Sequence, residues 1–432
     1  MNSSFGNAFG ARCLKWSTIL ASLIAATLVQ VSTAHADIDL ADNHGWTIST
    51  DGRINSFLSL TRGDGQPQGV PLWQGLEDRA DIAGNIQNTR IRNGFILSVL
   101  GFNLKKQLTD SVTVRGRVGM WLLASSNRSK SEIPPADMRE VYVKFDGPWG
   151  GFLAGRNMSL FGRGGIMLNY NIEHAYGLGH PCAVRTIGGG SCGHSGYGIV
   201  FPGFNEGLVY NTPTIAGLEL SVGLYDPSVI PTYAYEMTPL PRIESELRYQ
   251  PSKAFHMFVD ALWQRLQKQT PVDGKNVNQL VDAAAVSAGA GVTLEHFSAG
   301  LTGHTGQGLG LDIPLQDHPL IADERGVLRI TSGLLALASL TFGDTRVAGG
   351  AGVSMIKKTS TDPAGAVTSN VLLKRQMGYS LGVYQTIQKT AILALEYFRA
   401  EYQWNDFTNA KGDVVQPKQA VNFINAGVTV IW

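Results

Sequence analysis

Counting back from the C-terminus, Trp432, Val430, Val428, Ala426 and Ile424 fall on one face of an extended chain. Ile431, Thr429, Gly427, Asn425 and Phe423 fall on the other. The same period of two recurs upstream. Val112, Val114, Val118 and Met120 share one face, and Thr113, Arg115, Arg117 and Gly119 share the opposite one. Strict alternation over segments of about ten residues is the mark of a strand whose two faces meet different surroundings. It excludes a helical membrane protein, and no segment beyond the N-terminal leader holds the ~18 consecutive apolar residues a spanning helix needs.

The connections between these segments fall into two classes. Seven are short: Gln107–Ser111, Asp146–Gly150, Asn211–Gly217, Gln250–Ala254, Glu295–Phe297, Phe342–Thr345 and Gln388–Thr390. Eight are longer and polar, near 62–89, 126–136, 157–206, 226–240, 267–278, 305–326, 358–370 and 403–418. Together they join about sixteen strands, short turns at one end and long loops at the other. This predicts an all-β transmembrane antiparallel barrel. In lipid every backbone polar group needs a partner, and a closed barrel has no unpaired edge.

Composition agrees with that plan. Charged residues are only 16% of the chain, against ~25% in an average soluble protein. Glycine, 51 of 432 residues, is well above its usual share. Glycine-rich stretches such as Gly333–Gly343 and Val347–Val353 are expected where backbones approach closely or strands bend. Aromatic residues near strand ends, among them Trp121, Tyr142, Trp149, Phe152, Tyr210, Tyr397 and Trp432, predict interfacial girdles.

The N-terminus reads as an address. Arg12 and Lys15 precede an apolar stretch from Trp16 to Val31, and Ala34-His35-Ala36 forms an A-x-A site. Residues 1–36 are therefore expected to be a removed secretory signal peptide, and 37–432 a single barrel domain. Removing Arg12 and Lys15 leaves 35 − 2 = 33 basic residues against 34 acidic, so no attraction to nucleic acid is indicated. Cys182 and Cys192 remain. An even pair in an exported chain reads as a disulfide, with a zinc site using His174, His180 and His194, or free thiols, as the alternatives.

Three stretches carry a resemblance. Met138-Arg139-Glu140-Val141-Tyr142-Val143 followed by Gly150-Gly151-Phe152-Leu153-Ala154-Gly155-Arg156-Asn157 is similar to the porin strand–turn–strand leading into the third loop. Leu208 to Leu218 is similar to the strand and turn that follow that loop, and 419–432 to the aromatic-ended final strand. The chain thus resembles the trimeric sixteen-stranded general porins of Gram-negative bacteria.

The resemblance implies an outer-membrane porin, exported through the periplasm, passing small hydrophilic solutes and ions by passive diffusion. It implies a homotrimer in outer-membrane lipid, and Trp432 read by the outer-membrane assembly machinery. The loop 157–206 would fold into the lumen. Glu173 on that loop would face wall arginines Arg139 and Arg156, which match the family pattern, and Arg115 and Arg117 join them by strand facing. Arg90 and Arg92 stand where the alternation breaks, so their facing is not assigned. Only Glu173 and Glu206 are acidic between 157 and 206, so a weak anion preference is expected.

Two other classes compete: a substrate-selective channel for a sugar or carboxylate, with an aromatic track such as Trp121, Trp263 or Tyr379, and a barrel that displays loops as a receptor or adhesin. No enzyme, cofactor or metal is expected. No histidine sits in a G-x-S-x-G or H-E-x-x-H setting, and Gly306-Gln-Gly308-Leu-Gly310 lacks the Lys-Ser/Thr of a phosphate loop.

Overall fold

The computed structural model describes residues 37–67, 70, 84–95, 97–122, 136–173, 191, 193–228, 235–237, 240–272, 275–315, 318–323, 326–360, 362, 371–409 and 411–432. The barrel strands are β1 (Trp46–Gly63), β2 (Ile86–Arg92 continued by Ser98–Thr109), β3 (Val112–Leu122), β4 (Asp137–Gly147) and β5 (Gly150–Met158). Helix α1 (Arg163–Glu173) follows. Then come β6 (Phe204–Asn211), β7 (Leu218–Tyr225), β8 (Arg242–Ser252), β9 (Phe255–Val272), β10 (Lys275–Thr293) and β11 (Phe297–Gln307). The last five are β12 (Ile330–Phe342), β13 (Thr345–Lys357), β14 (Leu373–Ile387), β15 (Ala391–Trp404) and β16 (Lys418–Ile431).

Each strand pairs antiparallel with its sequence neighbour, and β16 closes on β1, Arg53 opposite Ile431 and Gly63 opposite Val421. This is a closed sixteen-stranded antiparallel barrel. At the seam Gly52 and Trp432 exchange backbone hydrogen bonds of 3.0 and 3.1 Å. A side chain at Gly52 would collide with the Trp432 ring, its Cβ lying 2.5 Å from Cζ2, so glycine makes room for the terminal aromatic. A short strand, Ile38–Asn43, forms a hairpin with the start of β1.

All seven short turns stand where the sequence puts them. One long connection does not. The segment 267–278 is expected as a loop, yet β9 runs to Val272 and β10 resumes at Lys275, with Val272 opposite Lys275. Polar residues there no longer signal a loop, because the hairpin continues as paired strand.

Alternation sets the facing. In β3, Val118 (39% exposed) points outward, and its neighbours Arg117 and Gly119 point into the lumen. In β14, Tyr379 (40%) and Leu381 (56%) point outward, while Gln376, Gly378 and Ser380 point inward. Outward apolar side chains cover the wall, as contact with hydrocarbon requires. Phe152, Tyr210, Trp149 and Tyr397 are among the exposed aromatics, as the girdle reading expects. Trp121 is not: it is 8% exposed on the inner face, because its parity follows Arg117.

Candidate functional site: the lumen and the segment it encloses

Between β5 and β6, the described residues 159–173 and 193–203 contact side chains that face inward from the wall. Helix α1 starts where carboxylates of the wall wait. Oε2 of Glu244, on β8, accepts from the backbone N–H of Phe161 at 2.8 Å. Oδ2 of Asp260, on β9, accepts from Gly162 at 3.2 Å. The guanidinium of Arg163 bonds Glu246. The first N–H groups of a helix have no partner within it and carry its positive end, so two buried carboxylates satisfy both needs. The C-terminal end meets the opposite charge. Arg346, on β13, donates to the carbonyls of Asn171 at 2.8 Å and Ile172 at 3.4 Å. The helix is thus held at each end by a wall charge of the complementary sign.

Glu173, the last residue of α1, is fully buried. It accepts from Asn169 Nδ2 at 2.8 Å and from Ser380 Oγ of β14, and lies 3.3 Å from Nε2 of His194. Burial pushes its carboxyl up, but the His194 ring and the Ser380 and Asn169 donors outweigh this and hold it below the usual carboxylate range. Its role in the structure is a latch between segment and wall. Its partners are Asn169, Ser380 and His194, and not the wall arginines Arg139 and Arg156 that the resemblance implies.

Residues 193–200 continue this seat. Gly198 N–H donates to Ser354 Oγ at 2.9 Å, and Ser195 Oγ to the Asp312 carbonyl at 3.1 Å. Gln376 donates to the Gly196 carbonyl. The wall there is made of small residues. A Cβ at Gly352 would lie 1.9 Å from the Tyr197 carbonyl oxygen, and at Gly378 2.9 Å from Tyr197 Cβ. At Gly300 it would lie 2.6 Å from Ile172 Cδ1. The glycine-rich strands are therefore a socket for close backbone approach. Around it Ile166, Leu168, Ile172, Tyr197 and Ile199 pack with Phe258, Leu335, Leu337, Phe398, Tyr402 and Trp404 in one buried apolar cluster.

The wall of β1–β4 is different. Arg117 bonds Asp51 at 2.7 Å, Glu140 at 3.1 Å and Asn103 at 2.8 Å. Arg115 pairs with Asp146 at 3.0 Å near the short-turn end. Arg139 pairs with Asp137 at 2.7 Å and lies 5.0 Å over the Trp121 ring; Arg53 covers the same ring at 5.5 Å. The structure brings Arg115, Arg117 and Arg139 to one inner wall and gives each a carboxylate partner. Sequence reasoning missed those partners on β1 and β4, although their parity could have shown them. It also missed Arg53. Arg90 and Arg92, left unassigned, face inward beside the outward Ile91, which is 72% exposed.

Arg156 is placed elsewhere. It stands opposite Val141, which is 44% exposed on the outer wall, and bonds Glu206 at 2.9 Å. Directly opposed residues share a face. Arg156 therefore sits on the outward side, and its register with Phe152 and Ala154 is the reason. Cys182, Cys192, His174 and His180 lie outside the described residues, and with them the disulfide reading.

The sequence matches the family model described as Gram-negative porin over residues 20–416. Among solved structures, the outer membrane channel DcaP of Acinetobacter baumannii superposes with a TM-score of 0.61 at 11% identity, covering 90% of this chain and 99% of that one. The anion-selective porin from Comamonas acidovorans gives 0.55 at 12% identity, with 90% and 100% covered. OmpT of Vibrio cholerae gives 0.52 at 13% identity, with 90% and 100% covered. No curated protein matches the sequence. The closed sixteen-stranded barrel and the family match agree: the chain is an outer-membrane channel protein and belongs to the Gram-negative porin family.

Proposed function

We propose that the chain, once a signal peptide spanning 1–36 is removed, is a diffusion porin. Small hydrophilic solutes and ions would cross a water-filled lumen whose calibre is set by the segment 157–206. The observation that carries this reading is the asymmetry of the inner wall. The segment is fastened along β8–β14 by the contacts of α1 and residues 193–200, whereas the wall of β1–β4 presents charged side chains. A lumen removes the cost of moving an ion through hydrocarbon, and the narrowest section then sorts by size and charge.

Charge selectivity is proposed to be a weak anion preference. The paired carboxylates of Arg115, Arg117 and Arg139 support weakness; Arg53, which reaches over the Trp121 ring beside Arg139, supports the sign. The anion-selective relative from Comamonas is consistent with that sign. A homotrimer is proposed from the family plan. The test is reversal potential across a planar bilayer under a salt gradient. Ohmic steps with a small anion-leaning potential are expected. Absence of conductance from folded, inserted protein would refute the porin reading, and a strong cation preference would refute the sign.

A second reading has its own support. The Trp121 ring between Arg53 and Arg139, with Phe204 at 5.1 Å, is an aromatic–cationic surface suited to a solute carrying a carboxylate. A substrate-selective channel would show current block by such a solute that saturates with concentration.

A further inference from the structure

Strand β2 is broken in the middle of its run. On the long-loop side of the break Phe57 stands opposite Arg92, and on the short-turn side Arg53 stands opposite Val99. Residues 54–56 of β1 therefore face residues 93–98 of β2, three against six. The excess reverses the alternation. Inward positions are Asn88, Arg90 and Arg92 on one side of the break, and Val99, Gly101 and Asn103 on the other. The break lies inside the apolar band, because exposed outward Leu58, Leu60 and Ile91 stand on its long-loop side and Phe102 and Leu104 on its short-turn side. Backbone opened at that depth has no water to pair with. Side chains close it instead. Asn55 N–H donates to Ser98 Oγ at 3.1 Å, Gly94 N–H to Asn55 Oδ1 at 2.9 Å, and Asn93 Nδ2 to the Asn55 carbonyl at 3.1 Å. Arg53 Nε donates to the Leu97 carbonyl at 3.1 Å. Asn55, Asn93 and Ser98 are all buried.

Extra residues in a strand bend it and re-aim a side chain. Here they carry Phe95 into the lumen. Its ring lies against Gly193, where a Cβ would be 3.1 Å from the ring Cγ, and meets Phe201 edge-on at 6.3 Å. The Gly94 carbonyl accepts from the Ser191 N–H at 3.3 Å. Phe201 in turn packs with Phe204 at 6.2 Å, and Phe204 with Trp121 at 5.1 Å. Residues 193–201 are seated on β13 and β14 through Gly198 and Gly196. The bulge meets the same residues from β2, four strands further round the barrel.

We propose that Phe95 is a specificity-determining residue of the channel: it fixes residues 193–201 from the β2 side and so sets the largest solute that passes between them and the charged wall of β1–β4. An unbroken strand would need none of the buried polar side chains that seal this break. What the break supplies is one apolar ring, held by a sealed wall and pressed on a glycine of the enclosed segment. A ring fixed in this way limits size, because it carries no charge and its position does not depend on the segment alone. The inference rests on the diffusion reading and adds to it the residue that sets the calibre.

The test is polymer exclusion in planar bilayers holding the folded mature protein, with polyethylene glycols of graded mass on both sides. A polymer that enters the channel lowers its conductance, and the smallest that does not enter marks the calibre. Phe95→Ala is expected to raise conductance and to shift this cut-off to larger polymers. Phe95→Leu keeps an apolar side chain against Gly193 and should give a smaller shift in the same direction. Ile91→Ala, on the outward face of the same strand, should leave the cut-off unchanged. A native cut-off in Phe95→Ala, in a barrel shown to be folded by its heat-modifiable gel mobility, would overturn the proposal. So would an equal shift in Ile91→Ala. Noisier currents at an unmoved cut-off would overturn it too, because the ring would then steady the segment without setting the aperture. No conductance from the native protein ends the diffusion reading and this inference together, whereas native conductance with an unmoved cut-off in the variant ends this inference alone. If Phe95→Ala does not fold, Phe95→Leu answers the same question at the smaller shift.

Discussion

The two sides of the inner wall are built from strands of the same alternation and serve opposite ends. Along β11–β14 the inward positions include Gly300, Gly333, Gly350, Gly352 and Gly378, with Leu335 and Leu337 among them. Along β1–β4 they include Asp51, Arg53, Asn103, Arg115, Arg117, Arg139 and Glu140. The first set removes side chains so that another backbone can approach and its apolar residues can leave water. The second keeps long charged side chains, braced against one another. A strand's period of two tells which residues face inward, and the inward residue types tell whether that face is dry or wet.

The sharpest way to break this comparison is to fill the socket. Gly352→Val places atoms where the Tyr197 carbonyl now lies, so the segment must shift or leave. Overpacking of this kind costs about 1–3 kcal/mol, occasionally more. The expected outcome is a larger single-channel conductance with noisier open states, and a folded barrel. The same substitution in the charged half, Gly116→Val, meets Leu104 at 3.6 Å and the Tyr142 carbonyl oxygen at 3.9 Å, both ordinary contacts, and should leave conductance unchanged. Equal effects at both positions would end the distinction between the two walls.

A smaller effect is expected at the ends of α1. Glu244→Gln with Asp260→Asn keeps the acceptors for Phe161 and Gly162 but removes the charge facing the helix's positive end. Interactions of this type are worth about 0.3–1 kcal/mol, and up to ~2 kcal/mol where partly buried. Open-channel noise should rise while mean conductance stays near that of the native protein. A quiet channel would show that the hydrogen bonds alone hold the helix.

The fold was legible because its signal is local. Each turn and each alternating run is contained in about ten residues, and the barrel follows from their sum. The connection at 267–278 was misread because polar residues that continue a hairpin beyond the membrane look like those of a loop. In the lumen, parity carried Arg115 and Arg117 to one inner wall. Arg139 was assigned there by the resemblance, and a bulge between Met138 and Glu140 breaks the alternation that would have turned it outward with Val141. Parity counted from Phe152 would have turned Arg156 outward. The family pattern pointed the other way and was followed. What no local pattern holds is the seat itself. Glu173 meets Ser380 across 207 residues of sequence, and Gly198 meets Ser354 across 156. Only strand order around the closed barrel brings them together.

The latch at Glu173 offers the smallest expected effect, and its sign can be worked out. A carboxyl whose folded pKa is depressed contributes stability that is complete above its ordinary value of 4.5 and is lost as pH falls through the lower folded value. Between pH 7 and pH 5 the contact of Glu173 with Ser380 should therefore persist, and conductance governed by the segment should not change. Glu173→Gln keeps a group of the same size, removes the charge facing His194, and should make the channel noisier across that whole range. A calibre that changes between pH 7 and pH 5 in the native protein, and no longer changes in Glu173→Gln, would mean that the latch titrates in that window and that its carboxyl is raised, contrary to the depressed value its partners impose.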